Sequence, residues 1–355
     1  MLDEVNALYK ELETCTNNDV RLRIMFDIAT NLLNFDHKRA LDVANEIKAF
    51  ADEIDNNIGR VYCHSSRGRV FFQKLMYQDC EREFKESLRI SLLTTSLLDQ
   101  AMCHDSLGVL CTYLNQHDEA LAACQEALAI YKQIDTRPAF RYQVVCYNNI
   151  GVTYRKMYML SKAEEAFLSG LRLVDEYEVG TMRFTLLNNL AKVKLVEGQH
   201  SEGFALANAA LKGFMLANHK NGIAIATVTV ANCNLSIGEH ALALTQFLSV
   251  LKLLKSIDNK VAEIAAFTGL ANVYVKMEAF KEANKYLEKA QGLAIAAGDD
   301  QELCELYMAQ AIAYIAEKRI DLAVGKYKLG MDLTKKRKLP YTHAVFEDLH
   351  RNLNI

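Results

Sequence analysis

Small residues return along this chain with a period of 40, and that period decides what the chain can fold into. Ala40, Cys80, Ala120, Ala163, Gly203, Ala243, Ala283 and Ala323 are separated by 40, 40, 43, 40, 40, 40 and 40 residues. A second series runs twelve residues upstream: Gly68, Gly108, Gly151, Ala191, Ala231, Ala271 and Ala311. In the first copy that slot is Ile28, with Ala29 beside it, so this copy is degenerate. A third series follows four residues after the first (Phe84, Cys124, Phe167, Ala207, Phe247, Leu287, Tyr327), and a fourth three further on (Ser87, Ala127, Gly170, Ala210, Val250, Ala290, Gly330). The length of 355 residues taken alone suggests two or three globular domains; a sustained period means stacked copies of one supersecondary unit.

Within each copy apolar residues recur at three and four positions, so each copy is helical. Short polar segments such as Asn115-Gln116-His117-Asp118 and Gly198-Gln199-His200-Ser201 break the pattern once per copy, which predicts a helix–turn–helix. Small residues at fixed points on both helices let their backbones approach closely. The larger residue of the third series is expected to fill the space beneath the next copy. Ser161-Lys162-Ala163-Glu164 reads as a capping box opening a second helix. The three extra residues fall in 134–139, around Pro138, and predict a longer turn between copies.

Composition narrows the class further. With 51% hydrophobic and 24% charged residues the chain is not disordered, and 2 prolines with 16 glycines are too few for a β sandwich. Lys plus Arg is 41 and Asp plus Glu is 44, a net charge of −3, which leaves no electrostatic footprint for nucleic acid or an anionic membrane. The basic cluster Lys335, Lys336, Arg337 and Lys338 reads as the last turn of a helix before Pro340, where cations complement the helix dipole. The first fifteen residues carry Asp3, Glu4, Lys10, Glu11 and Glu13 and no apolar stretch of a signal peptide. The nine cysteines form no CxxC pair and no zinc spacing, and they read as reduced core residues of a cytoplasmic protein. Phosphate-binding, hydrolase, metalloprotease and kinase motifs are missing, so neither an enzyme nor a cofactor or metal site is expected. The histidines are scattered, with His37, His117, His200 and His240 near the turns inside copies.

Leu107-Gly108…Ala120…Cys124…Ala127 and Ile150-Gly151…Tyr154…Ala163…Phe167…Gly170 resemble the tetratricopeptide repeat, whose pattern is L-G-x2-Y, then A-x3-F, then A. The resemblance implies an all-α, right-handed superhelical α-solenoid of about eight helix–turn–helix repeats, at 17–56, 57–96, 97–137, 138–178, 179–218, 219–258, 259–298 and 299–337. The period departs from the family's 34, the early Trp is replaced by residues such as His64, His104, Tyr147, Phe267 and Tyr307, and the closing proline is missing. Repeats of this length resemble those of cell-polarity adaptors, of bacterial peptide-sensing regulators, and of chains carrying cyclase or kinase domains. Residues 1–16, with Val5, Leu8, Tyr9 and Leu12 on one face, suit an N-terminal capping helix. Residues 338–355 carry the stripe Val345, Phe346, Leu349 and Leu353, which suits a capping helix, the opening of a ninth repeat, or a helix leading to another domain.

In that family the first helix of each repeat lines the concave face. Counting from the upstream small residue, the slots three before and one, four and five after it point into the groove. They hold Arg69, Asn148, Arg155, Lys156, Asn188, Lys192, Asn232, Asn272 and Lys276. The amide of Asn offers a donor and an acceptor to the backbone of an extended peptide, and the cations favour acidic side chains or a carboxylate. In the last repeat the same slots are apolar, at Met308, Ile312 and Ile315. The function expected is a non-enzymatic interaction module for a peptide or partner helix. The alternatives are a sensory region of a larger signalling protein and a peptide-responsive regulator working through superhelical pitch. Regulators of the last kind carry an extra N-terminal bundle or a DNA-binding domain, whereas about 16 residues precede the first repeat here.

Overall fold

The computed structural model describes residues 2–33, 36–177, 180–257, 259–337, 339 and 347. Every regular element among them is a helix. After α1 (Leu2–Thr14) the helices come as hairpins: α2 (Asn18–Leu32) with α3 (His37–Glu53), α4 (Asn57–Gln73) with α5 (Tyr77–Ser91), α6 (Leu97–Tyr113) with α7 (His117–Tyr131), and α8 (Arg137–Lys156) with α9 (Leu160–Tyr177). They continue with α10 (Met182–Val196) and α11 (His200–Leu216), α12 (Lys220–Ser236) and α13 (His240–Leu254), α14 (Lys260–Lys276) and α15 (Phe280–Ala297), and α16 (Asp300–Ala316) and α17 (Ile320–Arg337). Residues 338–355, with the apolar stripe at their core, lie almost wholly outside the described residues.

The periodic small residues are the seams of these hairpins. All seven upstream residues and all eight of the first series are buried. A Cβ added to Gly108 would lie 2.5 Å from Cys124 Sγ, and one added to Gly151 would lie 2.5 Å from Phe167 Cε1. Gly68 meets Phe84 in the same way. Thus Phe84, Cys124 and Phe167 press on the small residue of their own hairpin. Phe247 does reach the next copy, where Gly269 of α14 receives its ring.

The seven hairpins from α4–α5 to α16–α17 each turn through one left-handed residue. Leu75, Asn115, Tyr158, Gly198, Gly238, Glu278 and Lys318 all have positive φ, between 55° and 88°. The amide that follows each one reaches back five residues, as in Met76 N–H to Phe71 C=O at 2.9 Å and Arg319 N–H to Tyr314 C=O at 2.8 Å. This is the Schellman closure, which satisfies carbonyls that the helix end leaves open. His117, His200 and His240 are the first residues of the helices after such turns. The even-numbered helices begin differently, on side-chain caps: Asn17, Asn56, Ser96, His219, Asn259 and Asp299 each accept a backbone N–H of the first turn.

Two local expectations are corrected. The three extra residues near Pro138 do not lengthen a turn; they lengthen α8 to 20 residues, against 17 for α4 and α6. Proline is tolerated there because a first-turn N–H has no intrahelical acceptor to lose. Ser161 is not a cap either, since α9 opens at Leu160 and places Ser161 inside its first turn.

The chain divides into two compact units: residues 1–153, 162–183 and 256–258 form unit 1, and residues 154–161, 184–255 and 259–355 form unit 2. In unit 1 each even helix packs on its hairpin partner and on the next even helix, α2 on α4 and α4 on α6. Unit 2 repeats this with α12 on α14 and α14 on α16. The helices α2, α4 and α6 of unit 1, and α12, α14 and α16 of unit 2, therefore form an inner layer, with their odd-numbered partners outside it.

Candidate ligand-binding groove

The sequence-derived slots do not all have the same surroundings. In unit 1 many of them turn out to lie between neighbouring even helices. Thr112 is buried there, its Oγ1 meeting Thr153 Oγ1 of α8 at 2.8 Å, whereas Ser65 is buried within its own hairpin, its Oγ meeting Ser87 Oγ of α5 at 2.9 Å. Asn148 is half-buried and donates from Nδ2 to Asn149 Oδ1 at 3.3 Å. Arg69 is half-buried as well, its guanidinium 5.3 Å from the Phe26 ring centre and its Nη1 donating to Thr30 Oγ1 at 3.4 Å. Thr112 and Arg69 thus join one even helix to the next, while Ser65 and Asn148 bond within their own hairpin or helix.

Arg23, outside those slots, and Asp105, in the slot three before Gly108, complete the inner network of unit 1. Arg23 on α2 donates to Tyr62 Oη at 3.4 Å and to Tyr142 Oη at 3.3 Å, tying α2 to α4 and to α8. Asp105 Oδ1 accepts from Asn149 Nδ2 at 2.7 Å. Desolvation raises the pKa of Asp105, opposed by that bond, by the Cys146 thiol and by Arg69.

Unit 2 presents its polar groups differently. Asn188 is only 2% exposed, not an open groove residue, and its Oδ1 has no hydrogen-bond partner. Lys192, one turn further along α10, is half-buried, with an ammonium pKa lowered to about 7 by desolvation and then by Arg155. Arg155 and Lys156 close α8 and are half-buried, and the Arg155 Nε is buried without a partner. Asn232 on α12 is half-buried, whereas Asn272 and Lys276 on α14 are exposed. The structure thus brings Arg155 and Lys192 together and leaves Lys276 apart on the open surface of α14.

Facing the two cations at the end of α8 are carboxylates that the slot rule passed over. Glu302 and Glu305 lie in the first two turns of α16, and Arg155 and Lys156 lower the pKa of each. Desolvation outweighs those cations and raises both carboxyl groups. The run Asp299-Asp300-Gln301-Glu302 reads from sequence as a helix opening, and Asp299 does cap α16. The signal was positional: Glu305 and Glu302 stand six and nine residues before Ala311, on the extension of the same inner face. Of the apolar slots on α16, Met308 and Ile315 are half-buried and Ile312 is exposed.

Among the described residues no cluster of His, Cys, Asp and Glu could hold a metal ion, and no helix is long and apolar enough to cross a membrane. The nine cysteines are free, seven of them buried.

Residues 101–134, spanning most of α6 with α7, match the tetratricopeptide repeat family. No curated protein matches the chain. Among solved structures, a Rap protein complexed with competence and sporulation factor is similar at 14% identity and a TM-score of 0.65, over 95% of this chain and 98% of that one. Aspartyl phosphate phosphatase F from Bacillus subtilis is similar at 12% identity and a TM-score of 0.62, over 93% of each chain. NprR in complex with its cognate peptide NprX is similar at 15% identity and a TM-score of 0.60, over 81% of this chain and 83% of that one. By its period and its hairpin packing the chain has the fold of an α-solenoid of helical hairpins, and its residues 101–134 match the tetratricopeptide repeat family.

Proposed function

We propose that the chain is a non-enzymatic binding module that takes up a peptide along the inner layer of unit 2. The observation that carries this reading is the set of inner-layer polar groups with no partner of their own: Asn188 Oδ1 on α10 and Arg155 Nε on α8. Asn232 and Asn272 extend it, at equivalent points of α12 and α14. An amide at a fixed height on successive helices can pair with the main chain of an extended peptide irrespective of its side chains. Rap and NprR structures of this fold, named for the peptides they hold, support the same reading. Free, buried cysteines support a reducing compartment, and we place the protein in the cytoplasm.

The test is peptide capture by the full chain from the low-molecular-mass fraction of the cells that make it, read by mass spectrometry. Asn232→Ala with Asn272→Ala should lose the captured peptides while keeping the helical circular dichroism of the parent. Equal capture by the double variant overturns the assignment to the inner layer.

A second reading is a regulator that responds to its peptide by changing the pitch of the repeats. The alignment with Rap and NprR over most of both chains favours it. Because repeats touch mainly their neighbours, a small change per repeat adds along the array. Solution scattering with and without the captured peptide checks it, and superimposable profiles count against it.

A further inference from the structure

The odd-numbered helices differ in the charge of their exposed sides, and α13 carries the least. On α15 the exposed residues include Lys281, Glu282, Lys285, Glu288 and Lys289, and on α5 they include Arg82, Lys85 and Arg89. Those of α13 are Ala241, Leu242, Thr245, Leu248, Ser249 and Lys252, with a single charge at the far end. Their spacing of three and four residues puts them on one side of the helix. Leu242 is 47% exposed and Leu248 42%. One exposed leucine on a helix is ordinary. Two on a shared face, with small neutral side chains around them, make a surface that water wets poorly.

Both hydroxyls on this face already donate within the helix. Thr245 Oγ1 donates to the Ala241 carbonyl at 3.0 Å, and Ser249 Oγ donates to the Gln246 carbonyl at 2.7 Å. Covering the face therefore strands no hydroxyl proton, which is the usual cost of burying such groups.

Charge stands only at the two ends of the face, and the signs are opposite. Glu239 precedes the first turn of α13, Lys252 lies in its last turn and Lys255 directly follows it; all three are exposed. None of the three forms an ion pair among the described residues, whereas Lys194–Glu197, Lys260–Glu263 and Arg319–Glu317 do. A face that is negative at its start, neutral in the middle and positive at its end is complementary to its own copy run in the opposite direction. Self-complementarity of one patch is what a two-fold contact requires.

We propose that α13 is the docking face for a second copy of this chain, packed antiparallel across a two-fold axis. With the axis between Gln246 and Phe247, Thr245 of each copy lies opposite Leu248 of the other. Glu239 then lies opposite the last turn of its counterpart, with Lys252 and Lys255. The small side chains of Thr245 and Ser249 near the axis let the two helices approach closely. A parallel pairing would set Glu239 against Glu239 and lysine against lysine, so the charges fix the direction. One helix face from each copy falls short of the roughly 1,200–2,000 Å² of a stable interface, so the dimer is weak and forms as concentration rises. The contact uses the outer side of unit 2 and does not depend on the peptide-binding reading above.

Sedimentation velocity of the full chain from about 1 to about 500 μM, at low and at high salt, tests the proposal. The wild-type chain should pass from monomer towards dimer across that range, and salt should weaken the dimer. Leu248→Asp sets a carboxylate beside the axis, and Glu239→Lys faces the lysines of the other copy. Each should raise the dissociation constant about tenfold or more. Glu239→Lys combined with Lys252→Glu and Lys255→Glu exchanges the two ends and should restore association. These side chains are exposed, and circular dichroism checks that each variant keeps the helical fold. A wild-type chain that stays monomeric throughout the range overturns the proposal, with no variant needed. A dimer untouched by Leu248→Asp, or a folded exchange variant that fails to associate, overturns it as well.

Discussion

In unit 1, Arg23 reaches two tyrosines on two other helices and Asp105 receives an amide and a thiol. In unit 2, Arg155 keeps an unused Nε, Asn188 an unused Oδ1 and Gln301 an unused Oε1. The two inner layers are built from the same hairpin, with the same small residues at the same seams. Unit 1 has unpartnered buried atoms of its own, among them Ser66 Oγ, Asp99 Oδ1 and Tyr131 Oη. Still, Arg23 of unit 1 binds one helix to others, whereas in unit 2 Arg155 disfavours the charged form of Lys192. A repeat array can thus spend equivalent positions on cohesion in one stretch and on recognition in another. The backbone period does not distinguish the two uses; the partners of the side chains do.

The comparison predicts that the units are alike in their cores and differ only in their polar inner faces. Phe167→Ala in unit 1 and Phe247→Ala in unit 2 each remove a fully buried ring, and each should cost about 3–5 kcal/mol in urea unfolding. A large difference between them would break the comparison at its base. Next in size, Arg23→Met should cost about 1–3 kcal/mol, because two tyrosine hydroxyls lose their donor and the cation leaves the faces of Phe26 and Tyr62. Arg155→Met should change stability less than Arg23→Met in the same urea unfolding, since it relieves Lys192 but also removes a cation that favours ionised Glu302 and Glu305.

A pH series sharpens the point at Lys192. Its folded pKa of about 7 lies below the ordinary 10.5, so between these values the unfolded chain binds the extra proton. Wild-type stability therefore gains from this group as pH rises from about 7 towards 10.5, and the penalty of the buried charge is fully present below 7. Lys192→Met should melt higher than wild type at pH 6, with the advantage shrinking towards pH 10, as followed by circular dichroism. An advantage that does not change with pH would point to packing instead. The smallest effect concerns the turns: Glu278→Gly should stabilise unit 2 by about 0.5–1 kcal/mol, because its φ of 58° costs a side chain more than a glycine.

The period made the fold legible because close helix packing leaves room only for small side chains, and Gly68, Gly108 and Gly151 are each pressed by a ring or a sulfur. The turns were harder to place. Their left-handed residue is Leu75, Tyr158 or Lys318 as readily as Gly198, since the Schellman bonds fix the backbone without fixing the side chain. The three residues added near Pro138 entered a helix because proline suits a first turn as well as a loop. At the site, Lys192, Arg155 and the asparagines could be found from the helix face. Their differing burial could not, because it depends on how closely neighbouring inner helices pack. Glu302 and Glu305 stayed hidden because the same face was followed for too few turns.

The left-handed turn residues have one further consequence. In unit 2, Gly198, Gly238, Glu278 and Lys318 are all exposed and recur every 40 residues at the same point of the hairpin. They are graduation marks on a ruler. Cysteine replacements at Glu278 and Lys318, carrying paired spin labels, would measure the spacing between successive hairpins directly, and peptide addition would show whether that spacing shifts.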